Sequence, residues 1–483
     1  MVVAGLLAAG CGSNKGWQDY SAHCASPRSG VDPATGRSFP DQKGTVDDEK
    51  NFLKLWINDL YLWYNEVPST NPADYKTPID YFNVLKTPLK TPGGKPKDPP
   101  QFHFTYPTDV WEQLVQSGTT GGYGMTWAFQ SRSPPRSVII AYTQPNSPAA
   151  NAGIARGAQL THIDGVAVLD GDANALNAGL LPATIGETHS FGFIPLGSTT
   201  ETTVNMTSAV VTETPVQNVK SIVTATGKVG YMTFNDHIQP AEKELVDAFA
   251  QLKADGVSDL ILDLRYNGGG ILNIASEIAY MVAGPGPTSG NGFETTVFND
   301  KHKGTDPVID RPITPVPFYS TALGYSATAG TPLPTLNLRK LFVLVSPGTC
   351  SASESIINGL RGVDVTVAAI GNTTCGKPYG FYPQDNCGTT YFAIEFKGVN
   401  QKGFGDYPDG FIPAGTGDTG LPGCAASDDF THALGDPAEG QLAAALAYRA
   451  NGACPSGSRR AVSIAAPQAT VAKDFWRQNR WYR

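Results

Sequence analysis

From residue 229 to residue 377 the chain repeats one unit: a short apolar run, a turn rich in Gly, Ser or Thr, then a segment of helical period. Residues 229–234 read as a strand. Residues 240–254 read as a helix with Leu245, Val246, Phe249 and Leu252 on one face. Residues 259–264 read as a buried strand that ends in Arg265-Tyr266-Asn267-Gly268-Gly269-Gly270, followed by a helix over 272–282. The strand 341–345 runs into Pro347-Gly348-Thr349-Cys350-Ser351-Ala352-Ser353-Glu354, and a helix over 352–361 leaves it with Ile356, Ile357 and Leu360 on one face. The strand 365–370 leads to Gly371-Asn372-Thr373-Thr374-Cys375-Gly376-Lys377. Strands alternating with helices predict a mostly parallel sheet with crossovers. The carboxyl ends of such strands share one edge, where ligands bind. The glycine run, Ser351 and Lys377 are therefore expected to meet there.

The residue types fit one chemistry. A serine hydroxyl is a weak nucleophile until a base takes its proton. Lys377 can be that base only when neutral, so its pKa must fall from about 10.4 to about 7–8. Desolvation does this, and Tyr379, Phe381 and Tyr382 offer an apolar wall. An oxyanion needs N–H donors. Ala352, at the helix start, and Gly269, in the glycine run, are the expected pair. Each piece has a plain structural reading as well: Ser351 as a helix cap, Lys377 as a solvated side chain, the glycines as a turn.

Other chemistries have less support. Cys350 could itself be a nucleophile, but no His lies in a matching motif. A Ser-His-Asp site would need a GxSxG turn, which is absent, although His237 follows the 229–234 strand. No CxxC pair or HExxH occurs, so no metal or other cofactor is expected. The net charge of −8 gives no reason to expect a nucleic-acid partner.

The chain of 483 residues is too long for one ordinary core. Residues 1–11 read as an export signal whose small residues precede Cys11, which resembles a lipobox cysteine, with Ala8 where such boxes usually carry Leu. Lipidation of Cys11 would tether the protein to a bacterial membrane on the periplasmic face. Residues 12–48 read as a polar tether. Residues 49–118 read as a helical region, with a first helix over 49–66, a shorter one over 79–86, and an aromatic face suited to a core. Residues 119–210 read as a β domain, 211–455 as the α/β core, and 456–483 as a basic tail. Residues 284–336 form a long Pro/Gly/Thr-rich insertion containing Phe293, Val297 and Phe318, of the kind that forms lids or binding surfaces. Without Cys11 six cysteines remain, which suits an oxidising compartment. Cys375 and Cys387 flank a Gly/Pro-rich turn and are the expected disulfide.

Two resemblances sharpen this reading. Ser147-Pro148-Ala149, Ala152-Gly153-Ile154, Gly157, Leu160 and Ile163-Asp164-Gly165 resemble the PDZ domains of bacterial proteases. The resemblance implies that Gly122, Tyr123, Gly124 and Met125 present backbone N–H groups to a peptide C-terminal carboxylate, with an adjacent strand edge free to pair. The segments 264–270, 348–355 and 371–377, in that order, resemble the tail-specific, or C-terminal processing, protease family. That implies a crotonase-like α/β core preceded by a PDZ domain, with Ser351 as nucleophile and Lys377 as base. Many members carry Gln four residues after the lysine, where this chain has Phe381, and Gln384 is the nearest substitute. The function implied is an exported serine endopeptidase acting on proteins or peptides. The alternative is an inactive peptide-binding or scaffolding lipoprotein, from which a retained lysine argues away. Oligomeric state is not legible.

Overall fold

The computed structural model describes residues 16–32, 35–455, 470–471 and 480–481. Cys11 and its expected lipidation lie outside them. Among the described residues no helix is long and apolar enough to cross a membrane.

The architecture is mixed α/β. A six-stranded sheet runs in the order Val216–Thr224, Gly227–Phe234, Asp259–Asp263, Lys340–Val345, Thr366–Gly371, Gly423–Ala425. Only the first pairing is antiparallel; the other four are parallel. Helices Ala241–Ala254, Leu272–Ala283 and Ala352–Gly362 make the crossovers. Their apolar stripes, including Leu245, Phe249, Ile274, Ile278, Ile356 and Leu360, are buried with Leu262, Val343 and Val367 of the strands. On the other face Ile261, Phe342, Leu344 and Ile370 pack with Leu442 and Ala445 of helix Gly440–Asn451. Burial on both faces explains why these strands read as continuous apolar runs.

Residues 119–212 form a β-rich unit. Its sheet places Thr202–Thr207, Thr188–Ile194, Gln159–Ile163, Ser137–Thr143 and Met125–Ser131 side by side. It carries its own core, with Val138, Ile140, Leu160, Ile163, Phe191 and Phe193 buried.

The N-terminal region is less separate than its sequence suggests. Helix Val46–Leu60 starts on a capping box: Asp48 N donates to Thr45 Oγ1 (3.1 Å) and Thr45 N to Asp48 Oδ2 (2.9 Å). Phe52, Leu53, Trp56, Ile57 and Leu60 form its buried face. That face packs on Tyr379, Tyr391, Ala393 and Ile394 from the far end of the chain. The helix stops at Leu60 rather than 66, because Leu62 N donates to Ile394 O (2.8 Å) and the backbone turns extended at Tyr61. Strand Phe104–Pro107 pairs with Thr389–Phe392.

Two expectations are corrected. The described part of the 12–48 segment is no loose tether: Trp17 packs edge-on against Phe52 (5.8 Å), its Nε1 donates to Asp59 Oδ2 (3.0 Å), and Cys24 is bonded to Cys387. The Cys375–Cys387 disulfide does not form, because each sulfur has another partner: Cys24–Cys387, Cys350–Cys375 and Cys424–Cys454. The turn between 375 and 387 carries its ends into different sheets, at Tyr379–Gly380 and Gln384–Asn386, which separates the two cysteines.

The 284–336 insertion is built into the body. Phe293 and Phe318 join the main core, whereas Val297 is exposed. Glu242, fully buried, accepts from the N–H groups of Leu323, Gly324, Ser326 and Ala327. Burial and the neighbouring Glu242 push Glu277 up to about 9. This acidic pair pins the insertion to helices Ala241–Ala254 and Leu272–Ala283.

Candidate active site

The carboxyl ends of the parallel strands carry turns that are bonded to one another. Thr349 Oγ1 donates to Leu264 O (2.9 Å), Cys350 N to Asn267 O (3.1 Å), and Cys375 N to Thr349 O (3.0 Å). The glycine run, the serine turn and the lysine turn therefore occupy one corner, as the alternating pattern predicts.

Ser351 sits between strand Lys340–Val345 and helix Ala352–Gly362 with φ 58° and ψ −115°. A non-glycine residue held there is strained, and such strain persists only where surrounding bonds over-determine it. Those bonds are visible. Its N–H donates to Glu354 Oε2 (3.0 Å), while its Oγ is buried and has no hydrogen-bond partner among the described residues. Ser351 thus does not spend its hydroxyl on capping the helix.

Glu354 and Asp364 carry only a poor signal in the sequence as residues that could tune the site; the structure gives Glu354 a definite place. Fully buried, its carboxylate accepts from Ser351 N, Gly376 N (2.9 Å), Lys377 N (2.8 Å) and Thr374 Oγ1. Burial pushes its carboxyl up, against these donors, which favour the carboxylate. One side chain so clamps the serine turn to the lysine turn. The Cys350–Cys375 disulfide clamps the same two turns covalently. Both sulfurs are used there, so the Cys350, Glu354, Cys375 cluster is not a ligand set for a metal. The bond also removes Cys350 as a candidate nucleophile. The signal available in the sequence was the acidic residue three positions into the helix, the spacing of a capping box.

Lys377 is fully buried. Its Nζ lies 4.6 Å from the centre of the Phe102 ring and 4.7 Å from that of Phe381. Phe381 is therefore a wall of the lysine pocket. Gln384 does not substitute for a polar helper: it pairs with Tyr391 on another strand, and its amide donates to Asp385 O. Phe102 comes from the N-terminal region, so that region completes the pocket.

Asn267 organises the glycine run. Its Oδ1 takes the N–H of Gly269 (2.9 Å) and lies 2.9 Å from His237 Nδ1; its Nδ2 donates to Phe234 O (2.9 Å). The Gly269 N–H, expected as an oxyanion donor, is thus committed within its own turn. His237 reaches the sheet edge as a packing partner of that turn. Arg265 anchors the turn from below through Asp263, Asp428 and Glu439, all at 2.7–3.0 Å.

The chain matches the model for peptidase family S41 over residues 228–381, which spans Ser351 and Lys377, and the model for the peptidase S41 N-terminal domain over 48–102. It is 27% identical over 306 residues to a chloroplastic C-terminal processing peptidase of Tetradesmus obliquus, covering 58% of this chain and 56% of that protein. It is 27% identical over 274 residues to a carboxyl-terminal-processing protease of Picosynechococcus, covering 55% and 56%. Over these residues the chain is similar to C-terminal processing serine proteases.

The chain spans about half the length of the curated relatives it matches. An S41-family protein of Bacteroides fragilis shares the fold, with a TM-score of 0.59, 22% identity, and coverage of 86% of this chain and 98% of that one. Gly122, Tyr123, Gly124 and Met125 lie on a groove of about 350 Å³ also lined by Trp127, Leu180 and Glu213, with no residue of the serine corner among its lining. Gly122 and Gly124 have positive φ (151° and 74°), which shapes the turn.

Proposed function

We propose that this chain is an exported serine endopeptidase in which Ser351 and Lys377 act as nucleophile and base. One observation carries the reading: a strained strand-to-helix turn holds an uncommitted Ser351 hydroxyl, and that turn is tied by Glu354 and by Cys350–Cys375 to the turn bearing Lys377.

In the proposed reaction Ser351 Oγ bonds to the substrate carbonyl carbon as its proton passes to Lys377 Nζ. The carbonyl electron pair moves to oxygen, towards Ala352 N–H and an N–H of Gly268 or Gly270. Collapse expels the amine, which takes the proton from Lys377. Water then hydrolyses the ester by the same route. Complete burial favours a neutral Lys377 amine, whereas two ring faces favour a cation. Burial has to win for the base to work.

The finer assignments belong to the same proposal. Residues 211–455 form a crotonase-like peptidase domain, 119–210 a PDZ-like domain that captures peptide C-termini at Gly122 to Met125, and 49–118 an N-terminal domain. Three disulfides support folding in an oxidising compartment. Lipidation at Cys11 is the proposed anchor, and unfolded proteins or peptides are the proposed substrates.

The test is substitution. Ser351→Ala and Lys377→Ala should each lower hydrolysis of an unfolded protein by roughly a thousandfold or more, with an unchanged circular dichroism spectrum. Full activity in either variant would sink the dyad.

A further inference from the structure

Two short pieces of the C-terminal segment are paired to the body, and both lie on the path proposed for a substrate. Thr470–Val471 lies antiparallel on strand Met125–Ser131, with Thr470 opposite Phe129 and Val471 opposite Ala128. Strand Ser137–Thr143 takes the other edge of Met125–Ser131. Thr470–Val471 therefore takes the part of the edge at Ala128 and Phe129 that an extended peptide would use. Its direction is informative: as the tail advances from 470 to 471 its partner falls from 129 to 128, towards Met125 and the Gly122-Tyr123-Gly124 turn. The second piece, Arg480–Trp481, lies parallel on Gly270–Ile271, at the end of the glycine run that meets the serine turn.

Both contacts are main-chain pairings, the mode by which a strand edge holds a peptide with little regard to its sequence.

We propose that the chain's own C-terminal segment is the resident ligand of the peptide path, and that a substrate must displace it. What displacement achieves rests on the Ser351–Lys377 reading; the occupancy itself does not. A tethered strand competes at an effective concentration of about a millimolar, so a free peptide meets a site that is already filled.

The test uses the full chain with Thr470→Pro and Val471→Pro together, since proline has no N–H to give to a ladder. Hydrogen exchange at residues 127–130 should quicken about tenfold or more. Hydrolysis of an unfolded protein should rise several-fold. A synthetic peptide of residues 466–474 should bind the proline variant about tenfold more tightly than the native chain. Native exchange rates in the variant would overturn the proposal, as would faster exchange with unchanged hydrolysis. If neither chain shows Ser351-dependent hydrolysis, the dyad reading fails, and exchange and peptide binding still decide the occupancy. A variant that does not fold leaves the native chain as the test: a peptide that binds it at micromolar concentration also overturns the proposal.

Discussion

At the sheet edge, Ser351 and Lys377 are sealed from solvent, and their turns are tied through Asn267, Glu354 and a disulfide to groups far away in sequence. In the 119–212 unit, the Gly122–Met125 turn borders a groove and is held by nearby backbone: Gln144 N donates to Gly124 O (2.8 Å) and Ala149 N to Tyr123 O (3.0 Å). The first arrangement locks two turns together through buried, interdependent polar groups. The second rests on a few local backbone bonds beside a groove. Chemistry needs the former and recognition of extended peptides needs the latter. Damage should therefore spread from the corner and stay local in the groove.

The largest effect should come from Glu354→Ala. It leaves the N–H groups of Ser351, Gly376 and Lys377 buried without their acceptor. Each unsatisfied donor costs about 1–3 kcal/mol, so the unfolding midpoint in guanidinium should drop by an amount worth roughly 3 kcal/mol or more, and hydrolysis should vanish. Glu354→Gln retains one acceptor oxygen and should fall between. A native midpoint for Glu354→Ala would mean that the corner is not clamped.

Next comes the covalent clamp. Replacing Cys350 and Cys375 together with Ala opens a link across 25 residues of sequence and should cost about 3 kcal/mol. Hydrolysis should fall while peptide affinity at the groove stays within about twofold, because no residue lining the groove belongs to the serine corner. Equal losses at both sites would erase the contrast between the regions.

That contrast also explains what could be read from the sequence. The sheet was legible because its strands are buried on both faces and its turns interrupt helical periods. The approach of the serine turn to the lysine turn followed from parallel topology. Glu354 gave only a poor signal because most of its partners come from a turn twenty or more residues on, and an acid near a helix start has an ordinary capping role. The disulfides escaped because pairing depends on distances between sheets, and Cys387 meets Cys24 only after the N-terminal segment has wrapped onto the core. The Gly269 assignment failed for a local reason: an Asn two residues back can bond the backbone ahead of it.

A third prediction concerns the contact that joins the N-terminal helix to the core. Glu395 is buried, takes hydrogen bonds from Trp56 Nε1 (3.3 Å) and Tyr382 N (2.9 Å), and is pushed up by burial from 4.5 to about 8. The folded state then holds a proton that the unfolded chain releases. Its contribution to stability is fully present below about pH 4.5 and is lost as pH rises to about 8. The slope from this group is at most about 1.4 kcal/mol per pH unit. Glu395→Gln should flatten the decline in unfolding free energy across that window; an unaltered slope would remove Glu395 as its source.

The smallest effect should be in the groove. Gly124 has φ 74°, and a Cβ there would lie 2.2 Å from Ser147 Cβ. Gly124→Ala should therefore shift the Gly122–Met125 turn. The left-handed backbone costs an alanine about 1–2 kcal/mol. With the tail displaced by the proline pair, affinity for a peptide with a free C-terminal carboxylate should fall about tenfold, while a C-terminally amidated peptide, already weak, should hardly change. Ser351-dependent hydrolysis of a saturating unfolded substrate should stay near its starting rate, since no bond of the serine corner passes through Gly124. Should hydrolysis fall with peptide affinity, the two regions would be energetically coupled. Arg156 would then be the first contact to examine, because it reaches from the β unit to Tyr266 Oη (2.6 Å) and Asp428 (2.6 Å) beneath the glycine run.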